Sequence, residues 1–184
     1  VMELPAPGEQ GDPVLSGALR VGQALDGDAL GNTVRTWQRA PLQMLARLHL
    51  LAAADLVDDA EQLGRPRSDA GVGERLDGLA QLLTGGTKAP APIVAAVAHG
   101  ELLALSPFGV ADGVVARAAS RLVSVSTGLD PRNLGVPEVT WMRRPQAYRE
   151  AAEGFASGTA EGVGAWVIYC CDAFEGGARE ALSI

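Results

Sequence analysis

The chain has 184 residues, 47% of them hydrophobic, which is enough for one sizeable core and a single compact domain. A net charge of −7 and a pI near 4.8 repel phosphate backbones and anionic headgroups, so no nucleic acid and no membrane surface is expected as a partner. Aromatic residues are only 4%, so the core must be built from small and branched aliphatic side chains, as in close-packed helices.

The first 13 residues are rich in Pro, Gly and acid and read as an extended arm. The Val1-Met2 start leaves room for residues before Val1. Val14, Leu15, Leu19, Val21 and Leu25 then repeat at helical spacing and mark a first helix ending near Gly27, followed by a short element over residues 29–39. Pro41 suits the first position of a strong helix running to about Val57. Residues 1–40 are therefore read as arm and N-terminal helices, and residues 41–184 as the helical core of one compact unit. Residues 58–73 are polar and glycine-rich, a loop with room for a small β-hairpin flap. Helices are expected over residues 74–83, 90–105, 113–126, 146–155 and 159–174, giving an all-α fold. The helix over 90–105 is almost free of charge and therefore buried. Asp130-Pro131 and Val136-Pro137 break the chain between the later helices.

Two cysteines occur, the adjacent pair Cys170-Cys171, which excludes a disulfide framework and suits a reducing cytoplasm. His49 and His99, with no carboxylate pattern around them, do not make a zinc site. Both are read first as hydrogen-bonded core histidines. The glycine patterns around Gly71 and Gly158 follow no strand, so they carry no dinucleotide fingerprint.

The stretch that carries chemistry is H-G-E-L-L-A-L-S-P-F-G-V-A-D-G-V-V-A-R, from His99 to Arg117. It resembles the core of the Fic/Doc family, whose motif is H-P-F-x-[DE]-G-N-[GK]-R with a second Arg three residues on. Here Ser106-Pro107-Phe108 stands at H-P-F, Ala111-Asp112-Gly113-Val114 at G-N-G-R, and Arg117 at the second Arg. His99 lies seven residues ahead of Ser106, where family members often carry a His. Gly64-Arg65-Pro66-Arg67 resembles the turn beside the family's peptide-aligning flap, so Gly64, Arg65 and Arg67 are the candidate partner-binding residues. The resemblance implies a Fic-like helical bundle. In the family, that bundle transfers AMP from ATP to a protein hydroxyl.

The residues that would perform the transfer are absent. The family's His is a general base, and the hydroxyl of Ser106 is not one at neutral pH. Val110 stands where an acid would hold Mg²⁺, and Val114 where an Arg would clamp phosphate. Ala111 replaces the glycine that lets the backbone approach the nucleotide. Asp112 falls at the expected N-cap of the next helix, where it would occupy the N–H groups that could bind a phosphate and repel a triphosphate. No cofactor is expected, and binding of ATP with Mg²⁺ should be weak or absent.

The expectation is a catalytically degenerate domain that acts through binding, regulation or assembly with a protein partner or small ligand, and homo-oligomers are compatible with it. The alternative is a divergent transferase acting on another phosphate-containing substrate, with Ser106, His99 and Asp112 as candidate catalytic residues. Arg117 and Gly113 are the candidate anion-binding residues, although an ordinary pairing of Arg117 with Asp112 or Glu101 is the reading preferred for that arginine. The S-x-x-x-E-G pattern ending at Glu161-Gly162 fits a self-inhibitory segment seen in some members, but is explained by helix capping.

Overall fold

The structure is a computed structural model that describes residues 11–183. Most of the arm expected over the first 13 residues lies outside these. Among the described residues there are nine α-helices, one single-turn 3-10 helix and no strand. The helices are α1 (Pro13–Ala24), α2 (Gly27–Arg39), α3 (Pro41–Ala53), α4 (Val72–Leu83) and α5 (Ala91–Leu105). They continue with α6 (Asp112–Ser126), α7 (Pro137–Arg143), α8 (Pro145–Ala156) and α9 (Ala160–Leu182). The fold is all-α. No helix among the described residues is long and apolar enough to cross a membrane.

Helix boundaries follow local chemistry. Asp12 and Asp26 accept hydrogen bonds from the Val14 and Gly27 N–H groups at the starts of α1 and α2. Thr159 caps α9 by accepting from Gly162. Proline stands at the first turn of α1, α3, α5, α7 and α8, where its missing N–H costs nothing.

Helix α5 is the axis of the molecule. It packs most extensively on α6 and also touches α4, α8 and α9. One face, with Ala95, Ala98 and Leu102, joins a large core shared with α1, α2, α3, α4 and α6. Its other face puts Ala96 into a second cluster with Phe155, Trp166 and Cys170. A helix buried on both sides has no solvent face for charge, which is why its sequence carries almost none. Gly100 makes the second contact possible: a Cβ there would lie 2.7 Å from the Trp166 indole nitrogen and 2.8 Å from the Phe155 ring. Trp166 is further fixed by donating its indole N–H to the Ala96 carbonyl at 2.7 Å. The N-terminal helices belong to the same core, since Val21, Leu25 and Trp37 pack with α3 and α6 residues.

Several expectations are corrected. The segment between α3 and α4 forms no hairpin; it holds the 3-10 turn Ala60–Gln62 and irregular chain. Pro137 opens the short helix α7, having been read only as a break. The last helix continues beyond Phe174 to Leu182.

Candidate functional site

The segment joining α5 to α6 is short and conformationally unusual. Ser106 (φ 44°), Gly109 (φ 78°) and Ala111 (φ 57°) all adopt the left-handed region, and two of them carry a Cβ that disfavours it. Such backbone persists only where its surroundings over-determine it. Three side chains do so here, two from other parts of the chain and one from the residue that follows the loop.

The first is Arg67. Its guanidinium donates to the Ser106 carbonyl at 2.9 Å and the Leu105 carbonyl at 3.0 Å, and it pairs with Asp69. Its own backbone N–H donates to the Pro107 carbonyl at 2.7 Å. Three successive carbonyls at the exit of α5 are thereby satisfied by one residue.

The second is His49, on α3. Its ring stacks on Phe108 with centroids 4.2 Å apart and planes 6° from parallel. Its Nδ1 accepts the Gly64 N–H at 2.9 Å, so the neutral ring carries its proton on Nε2. Burial pushes its pKa down, opposed by the Val110 backbone. His49 therefore links the turn at Gly64 to the loop, a role the sequence did not suggest.

The third is Asp112. It is the first residue of α6, with Ala111 as the N-cap, so the expected capping geometry is corrected. Its carboxylate reaches back along the loop and accepts the Phe108 N–H at 3.0 Å. The residue is 9% exposed, and burial raises its pKa against the pull of the Phe108 and Gly109 N–H groups and the Arg67 charge. The N–H groups that a loop of this shape could offer to an anion face a carboxylate of the same chain.

The remaining candidates do not converge on one point. Ser106 donates its hydroxyl to the Leu103 carbonyl at 3.1 Å. His99 is fully buried, edge-on to Trp141 and Trp166, with Nε2 2.8 Å from the Tyr148 hydroxyl. Its Nδ1 has no partner among the described residues. Burial, aided by the charge of Arg117, pushes its pKa down to about 3, so the ring is neutral at physiological pH.

Glu101 does not pair with Arg117. It forms a bidentate ion pair with Arg75 on α4, at 2.7 and 2.9 Å. The pair is partly solvated, with 48% of the arginine and 20% of the glutamate side chain exposed. Glu101→Gln should therefore cost less than about 1 kcal/mol in a urea titration. A larger loss would mean that the pair anchors α4.

No carboxylate pairs with Arg117 among the described residues. Its guanidinium lies over Gly113, where a Cβ would sit 3.3 Å from Nη1, and beside Tyr148, whose burial-raised pKa its charge opposes. It also lines a cavity of about 600 Å³ between α1 and α6, together with Leu19, Leu25, Val114 and Arg121. Of the flap residues, Gly64 and Arg67 are engaged internally, whereas Arg65 is 71% exposed beside Glu61.

Searches against protein-family models, curated proteins and solved structures return no match. The site has an occupied loop, a buried neutral histidine and, at a cavity, an arginine with no carboxylate partner among the described residues. Asn133, which sequence reading passed over, completes the cavity wall. It accepts from Arg121 at 2.9 Å and donates to the Leu25 carbonyl at 2.9 Å, across 108 residues of chain. No local pattern could have signalled that contact.

Proposed function

We propose that this chain is a Fic-like domain whose motif has become structural, and that it acts by binding rather than by AMP transfer. The observation that carries the reading is the consumption of the loop's hydrogen-bonding capacity from within. Arg67 takes the carbonyls on one side, and Asp112 takes the Phe108 N–H on the other. A nucleotide phosphate would have to displace a buried carboxylate from its own donors, with no arginine at Val114 to compensate.

The divergent-transferase reading is less well supported. A nucleophile at Ser106 would need a base within hydrogen-bond reach, but its hydroxyl is bonded to the Leu103 carbonyl and Asp112 serves Phe108. His99 is enclosed by aromatic rings.

The binding place best supported is the cavity beside Arg117. It suits a small ligand with one anionic group. Asp26 and Glu138 on the same walls disfavour a polyanion. The free Cys170 and Cys171 thiols fit a cytoplasmic protein. Isothermal titration with ATP and Mg²⁺ tests the reading. No heat is expected up to millimolar nucleotide, and micromolar affinity would overturn it.

A further inference from the structure

A second pocket, on the other side of the Arg121–Asn133 wall, has a different chemistry. It is about 460 Å³ in volume and is enclosed by the C-terminal half of α6, the chain leading to α7 and the last turns of α9. Leu129, Leu134, Pro137, Phe174, Ala178 and Leu182 supply its apolar lining. Leu134 and Leu182 are 61% and 88% exposed, so apolar surface surrounds the mouth as well. The volume is in the range of small-molecule sites.

Every charged group on its walls is already engaged. Arg121 makes a bidentate pair with Glu138 at 2.6 and 2.7 Å and also binds Asn133. Asp130 accepts the Leu134 and Gly135 N–H groups at 3.0 and 2.8 Å. Glu175 pairs with Arg179. An ionic ligand would find no free counter-charge here and would have to shed its hydration to enter.

One polar atom is not engaged. Ser120 lines the pocket, is 1% exposed, and its hydroxyl has no hydrogen-bond partner among the described residues. A helical serine can satisfy itself on the carbonyl four residues back, and Ser124 does so, donating to the Ser120 carbonyl at 3.0 Å. Ser120 does not. A buried hydroxyl left unpaired carries a free-energy cost that a ligand atom could remove.

We propose that this pocket binds an uncharged, mainly aliphatic small molecule carrying one hydrogen-bonding oxygen, such as an alcohol, ketone or ester, with that oxygen on Ser120. The apolar walls take the chain, the spent rim charges exclude ions, and the Ser120 hydroxyl sets the orientation. This site is separate from the cavity beside Arg117 and does not rest on the reading of the motif loop.

The test uses 1-octanol as the probe and octanoate as its charged counterpart, titrated calorimetrically into the full chain. Affinity for this pocket is read as the binding that Ala178→Trp removes. Ala178 is exposed, so the indole fills the mouth without entering the core, and an unchanged melting temperature verifies the fold. Octanol should bind in the micromolar to millimolar range, octanoate at least tenfold more weakly at this pocket. Ser120→Ala should weaken octanol binding about fivefold, as loss of one hydrogen bond would. The proposal is overturned if octanol shows no saturable binding, if Ala178→Trp leaves its affinity intact, or if octanoate binds the pocket equally well. It is overturned too if Ser120→Ala has no effect.

Discussion

Acidifying the solution from pH 7 to pH 5 should cost the fold about 2 kcal/mol, from His99 alone, as measured by urea unfolding at each pH. The sign follows from burial. The folded-state pKa of about 3 lies below the ordinary value of 6.5, so the neutral ring is the form that the fold accepts. The stabilisation is complete above pH 6.5 and is lost as the pH falls toward 3, because the unfolded chain takes up a proton that the folded chain refuses. The chain has two histidines, and His49 is lowered by burial as well, so both act in the same direction. Asp112 acts oppositely. Its raised pKa means that protonation favours the folded state, in a window beginning near 3.8 and extending upward to its folded value. His99→Gln keeps a hydrogen-bonding group for Tyr148 but cannot ionise, so it should flatten most of the slope between pH 7 and 5. An unchanged slope in that variant would remove His99 as the cause. Arg117→Met should flatten it less, because it removes only the smaller of the two influences on the ring.

The parts of the fold visible in the sequence are those encoded locally. A helix without charge had to be buried, and α5 lies at the centre. Pro41 at a first turn and the helical spacing of apolar residues elsewhere place most helix starts within a residue or two. The end of α9 was hidden because Gly176-Gly177 reads as a helix stop. Gly177 instead lets α9 approach α7, where a Cβ would stand 2.5 Å from the Pro137 nitrogen. The glycine serves packing between helices, and nothing within its own helix reveals that. The same limit applies to the site. The residues of the loop between α5 and α6 could be read directly, and so could the presence of a carboxylate at its end. What holds the loop could not. Arg67 acts across 38 and 39 residues, and His49 stacks on Phe108 from another helix. Arg67 stands as a partner-binding candidate because Gly64-Arg65-Pro66-Arg67 resembles the turn beside the Fic/Doc flap. Its reach back to α5 exists only in the folded chain.

Asp112→Ala should destabilise the fold by about 1–3 kcal/mol, the usual cost of leaving a buried donor unpaired, here the Phe108 N–H. Asp112→Asn should cost less than about 1 kcal/mol at pH 7. Its amide oxygen can still accept from Phe108, and the burial that raises the carboxyl pKa no longer penalises a charge. The order of the two variants carries the information. If asparagine proves as damaging as alanine, the carboxylate is held for its charge, with Arg67 as its counterpart. If asparagine is well tolerated, what the loop requires at this position is a hydrogen-bond acceptor turned back on Phe108. The negative charge would then be a feature the fold tolerates, and one that keeps anions away from the start of α6. Urea midpoints of the three proteins at pH 7 separate the cases.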